Sequence, residues 1–105
     1  MSQQQVGRAA RNRRNWVVVS YDIPDDKRRT QVMKTLEGYG QRAQYSVFEC
    51  ELRPADVTRL QARLQEIIDE EQDDVRFYPL CDNCLRKVTT LGKAELHRRP
   101  DFVIV

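Results

Sequence analysis

An α+β fold of the ferredoxin-like βαββαβ sandwich type is predicted for this chain of 105 residues by two observations. Apolar residues alternate between strand and helix periodicity in the order strand, helix, two short strands, helix, strand. Right-handed crossovers fold two such βαβ halves into one antiparallel sheet with both helices on one face. A composition of 40% hydrophobic and 32% charged residues fits one soluble domain and leaves no room for a second core. On this pattern the chain divides into a basic arm over 1–15 and a domain over 16–105, within which 86–105 form a C-terminal extension ending in a strand.

The first strand is WVVVSYDI, Trp16 to Ile23, apolar on both faces in its first half and stopped by Pro24. Its even-numbered face, Trp16, Val18, Ser20 and Asp22, becomes more polar toward the carboxyl end. Asp25 is placed to cap a helix running to about Tyr39, with Val32, Met33, Leu36 and Tyr39 on one stripe and Gly40 as its stop. In QRAQYSVFECEL the apolar parity changes, from Ala43, Tyr45 and Val47 to Phe48, Cys50 and Leu52. That change requires a bulge, a bend or a break between two short strands.

Pro54 suits the first turn of a second helix, in which Val57, Leu60, Leu64, Ile67 and Ile68 carry the strongest periodic signal of the chain. The acidic run Asp69 to Asp74 ends that helix and reads as a solvated terminus. Val75 to Leu80 resumes strand character, and Pro79 within it argues for a sheet edge or a strand end. Arg86 to Leu91 is expected as a short strand closed by Gly92. The terminal Phe102 to Val105, hazardous if left bare, is expected to add to a sheet edge of this chain or of another copy.

Charge is unevenly distributed. The net +2 conceals an arm with Arg8, Arg11, Arg13 and Arg14 and no acid, and a remainder with 14 basic and 16 acidic residues. The arm fits either a solvated tail or a segment that follows phosphates. Apolar runs fall far short of the roughly 18 residues of a membrane span or the 7 to 15 of a secretory core, so the chain is expected to stay in the cytosol. Cys50, Cys81 and Cys84 form an odd set without framework spacing, as in a reducing compartment. The single CxxC, read as a turn between strands, weighs against both zinc and redox chemistry.

Asp22 is the residue to question, because a carboxylate at the rim of an apolar strand needs a cation, a donor or water. One reading makes it a cap or a strand terminator in water. The other sets the uncovered sheet faces of two copies together, with Trp16 and Val18 on them, and brings two Asp22 carboxylates to a two-fold axis where they hold a divalent cation such as Mg²⁺. Arg28 and Arg29 follow in the next turn and Arg42 opens the next strand. Guanidinium groups match phosphates in a bidentate manner, so these three around one acid suggest a passing polyanion, or else solvated surface residues. Lone His97 and the lack of a nucleophile or phosphate-loop motif leave few other catalytic candidates.

The YDI strand end, the arginine-bearing helix ending at YG and the RxQYSVFEC segment together resemble the small CRISPR-associated spacer-acquisition proteins, the second of the two nearly universal adaptation proteins, also described as endoribonucleases. The resemblance runs from about Trp16 to Val105 and is weakest after Cys81. It implies a ferredoxin-like homodimer, a metal site between protomers and a terminal strand exchanged onto the partner's sheet. It also implies Asp22 as the metal-binding acid, with Tyr21, Arg29, Arg42 and Phe48 in nucleic-acid handling. Gln31 stands where some relatives carry a basic residue. Two functions follow. One is an architectural dimer that binds spacer-precursor DNA and bridges CRISPR integrase dimers. The other is a metal-dependent endonuclease, on single-stranded RNA or double-stranded DNA, that uses Asp22 from both protomers.

Overall fold

A computed structural model describes residues 14–92 of the chain. Its elements are β1 (Asn15–Asp22), α1 (Asp26–Glu37), β2 (Gly40–Gln44), β3 (Val47–Leu52), α2 (Pro54–Ile67), β4 (Asp74–Leu80) and α3 (Asp82–Arg86). The strands form one antiparallel sheet in the order β2-β3-β1-β4, the ferredoxin-like arrangement expected from the element order. The basic arm up to residue 13, lone His97 and the terminal segment from residue 93, with its expected strand and exchange, lie outside the described residues.

Each boundary has a local cause. The Asp25 side chain accepts from the Arg28 backbone N–H at 2.9 Å and caps α1. The helix ends at Gly38, two residues before the expected stop at Gly40. Gly40 instead opens β2, where a Cβ would come within 2.4 Å of the Glu49 carbonyl oxygen and 2.5 Å of Cys50 Sγ. Only glycine lets the edge strand approach β3 that closely. The parity change resolves into a turn at Tyr45 and Ser46, with a register shift between Arg42 and Gln44. Pro54 begins α2, where its missing N–H costs no helical bond.

The core lies between the sheet and α1 with α2. Val17, Val19, Tyr21 and Ile23 of the first strand and its exit meet Val32 and Leu36 of α1, Phe48, Cys50 and Leu52 of β3, and Leu60 and Leu64 of α2. Met33, Tyr39, Val57, Ile67 and Ile68 pack around them, so both helical stripes read in the sequence face this layer. Burying side chains of this kind is worth about 1.5 to 3 kcal/mol each. Alternation along β1 then sends Trp16, Val18, Ser20 and Asp22 to the second face of the sheet.

That second face departs from expectation. Residues 86–91 are not a strand: the chain turns after β4 into the short α3, which packs on β1 and β4 and buries Leu85. Trp16, read as part of an uncovered face, is only 5% exposed, and neither it nor Leu85 belongs to the main core cluster. A single apolar residue per turn in DNCLR is too brief a pattern to announce a helix. Pro79 sits in β4, an edge strand, as its missing N–H requires. No described helix is long and apolar enough to cross a membrane.

Candidate metal and nucleic-acid site at the end of β1

Asp22 is the last residue of β1 and is exposed. In the antiparallel register it stands directly opposite Asp74, the first residue of β4. Cross-strand partners share a face with Cα atoms about 4.5 to 5.5 Å apart, and like charges so placed are unfavourable unless a cation meets them. Arg76 Nε donates to Asp74 Oδ2 at 2.8 Å and partly supplies that charge. Asp74 belongs to the acidic run that the sequence offered only as a solvated terminus. The clue was antiparallel register: a strand that starts beside the end of β1 puts its first residue against Asp22. Among the described residues no three His, Cys, Asp or Glu side chains gather into a metal site, so one chain offers this pair.

Beside the acids, the β2–β3 turn is tied to the end of β1 through one carbonyl. The Tyr45 oxygen accepts from Arg42 Nη2 at 2.8 Å, from Arg42 Nε at 3.2 Å and from the Tyr21 hydroxyl at 3.4 Å. The Tyr21 backbone N–H donates to the Ser46 carbonyl at 3.1 Å. Arg42 also lies over the Tyr45 ring, 5.4 Å from its centroid, a cation–π contact. Burial raises the Tyr21 hydroxyl pKa, and the positive charges of Arg42 and Arg29 pull it partly back. Tyr21, Arg29 and Arg42 therefore share one electrostatic neighbourhood. Tyr45, 69% exposed, fits a strand pattern by sequence but lies on the turn, a place that follows from the break in parity.

The remaining candidates play different parts. Arg29 Nη1 donates to the Ile23 carbonyl at 2.7 Å and the Pro24 carbonyl at 3.3 Å, and Nη2 pairs with Asp26, which fixes the link that follows Asp22. Phe48 is fully buried, stacked on Tyr21 with ring centroids 6.4 Å apart. Any contribution it makes at the surface passes through Tyr21. Arg28, grouped by sequence with the phosphate-facing arginines, forms a two-pronged pair with Asp73, Nε at 2.7 Å and Nη2 at 3.0 Å. The Asp73 side chain is fully buried and also accepts from the Asp69 backbone N–H at 2.9 Å. Arg28 thus ties the start of α1 to the loop before β4.

Residues 15–88 match the family model described as CRISPR associated protein Cas2. The chain is 50% identical over 88 residues to a CRISPR-associated endoribonuclease Cas2 of Synechocystis, covering 84% of this chain and 96% of the relative. Among solved structures it resembles Streptococcus pyogenes Cas2, with TM-score 0.66 and 45% identity over 73% of this chain and 99% of the other. It also resembles a chain of a partial Cas6-RT-Cas1–Cas2 complex, with TM-score 0.65 and 30% identity over 73% and 90%.

Proposed function

Because the chain belongs to the CRISPR-associated Cas2 family, we propose that it is a CRISPR adaptation protein whose homodimer binds a spacer-precursor DNA duplex and bridges integrase dimers during spacer acquisition. The observation that carries this reading is the rim at the end of β1. Arg42 is held by a backbone carbonyl and an aromatic face, and among the described residues no carboxylate pairs with it, so its positive charge is left to meet phosphate. Arg29 sits nearby on a rigid link, and its partner Asp26 is exposed. Contacts of this kind position a duplex without reading its bases. The Cas1–Cas2 assembly of the related chain supports an integrase as the partner.

A metal-dependent nuclease is the second reading, favoured by Asp22 facing Asp74. Mg²⁺ takes oxygen ligands and retains water, so a pair of carboxylates is a fitting donor set. Asp22, with Asp74 or with the Asp22 of a second protomer, would hold such an ion. When bound, it would polarise a phosphodiester and lower the pKa of water. The chain's own residues contribute position: Arg42 and Arg29 orient the phosphate, and Tyr21 fixes the turn.

The two readings separate in one comparison on the full chain with its integrase. In the architectural role Asp22→Ala integrates duplex normally, and Arg29→Ala combined with Arg42→Ala loses integration. Loss of integration in Asp22→Ala, with dimer and duplex binding intact, overturns that role and assigns the acid an essential one.

A further inference from the structure

Cys81 and Cys84 bracket the first turn of α3, and the rim at the end of β1 makes no use of them. Both thiols are exposed, whereas Cys50 is buried in the core and its pKa is pushed up to about 11 by burial. The Cys81 carbonyl accepts from the Leu85 N–H at 2.9 Å, and Cys81 Sγ accepts from the Cys84 N–H at 3.4 Å. These bonds wrap residues 81–85 into one turn, in which Cα atoms three residues apart lie about 5 to 6 Å from each other, within the span that a disulfide bridges. Leu85, 1% exposed, anchors the turn where α3 packs on β1 and β4. The CxxC motif, expected in a turn between strands, instead follows a strand and opens a helical turn.

We infer that Cys81 and Cys84 form a dithiol modification site that exchanges with low-molecular-weight disulfides and closes to an internal Cys81–Cys84 bond. The Cys81 thiol gives its proton to solvent and its thiolate attacks one sulfur of the small disulfide, forming a mixed disulfide and releasing one thiolate. Cys84 then loses its proton, attacks Cys81 Sγ, forms the internal bond and expels the second thiolate. The two cysteines lose two electrons and two protons, and the small disulfide becomes two thiols. The Cys84 N–H and side chain hold the Cys81 thiol below its ordinary range, while Cys84 is pushed up by its neighbour, which makes Cys81 the attacking sulfur. Zinc would need further ligands, and the described residues supply no third one here.

The test uses the full reduced chain, incubated with glutathione disulfide over a range of glutathione ratios and followed by intact mass and peptide mapping. The expected product lacks two hydrogens, carries a cross-link within the peptide spanning Cys81 and Cys84, and reverts with dithiothreitol. Cys84→Ser is expected to stop at one glutathione adduct on Cys81, and Cys50→Ser to behave as wild type. A folded wild-type chain, checked by circular dichroism, that keeps both thiols free, accumulates stable glutathione on both, or yields only interchain disulfides overturns the inference. No residue of the rim takes part, so this outcome is independent of the adaptation reading.

Discussion

Two arginine clasps flank the end of β1, Arg28 on Asp73 and Arg42 on the Tyr45 carbonyl, and they differ in what accepts the guanidinium. Arg28 meets a carboxylate whose side chain is fully buried, and the two charges cancel. Arg42 meets a neutral carbonyl and a ring, so it is oriented without being neutralised. Both side chains are fixed, but only the second keeps its charge for a partner. An arginine near a site is therefore not evidence of phosphate binding until its acceptor is known.

Breaking the neutralised clasp should have the largest effect. Asp73→Ala strands the Arg28 guanidinium and the Asp69 N–H, and thermal unfolding should start lower by about 4 °C or more. The pH dependence has a definite sign. The hydrogen bonds from Arg28 hold the Asp73 pKa below its ordinary value, so the folded state binds that proton less readily than the unfolded chain. The clasp's contribution is then complete above the unfolded carboxylate pKa of about 4 and is lost as pH falls through the folded value. Melting curves taken from pH 7 downward should show the wild type converging on Asp73→Asn in acid; a gap independent of pH would assign the stabilisation to shape instead.

The charged clasp should answer to salt. Arg42→Ala should weaken duplex binding about equally across sequences and lower the magnitude of the salt slope by about 1 per chain, with little change in melting. Arg28→Ala should do the reverse, lowering the melting temperature and leaving the slope unchanged. Equal slopes for the two variants, in binding titrations at several salt concentrations, would erase the distinction. The smallest effect belongs to Tyr21→Phe, which removes only the long 3.4 Å bond to the Tyr45 carbonyl. Its expected cost is about 0.5 kcal/mol in denaturant unfolding, with duplex binding reduced by less than Arg42→Ala reduces it.

What the chain encodes locally was legible. Strand and helix periods, the cap at Asp25, Pro54 at the start of α2 and the break in parity before Phe48 act over a few residues, so the elements from β1 to β4 and their order follow from sequence patterns, whereas the strand expected at 86–91 is absent. The candidates Asp22, Tyr21, Arg29 and Arg42 come from the sequence too, through the YDI strand end, the arginine-bearing helix and the RxQYSVFEC segment. Tertiary structure decided the pairings between distant residues. Arg28 finds Asp73 across 45 positions, Asp74 reaches Asp22 only through the β1–β4 register, and Leu85 makes DNCLR a helix by finding a buried site on the sheet. Each depends on long-range packing free energy, which no short window of residues contains.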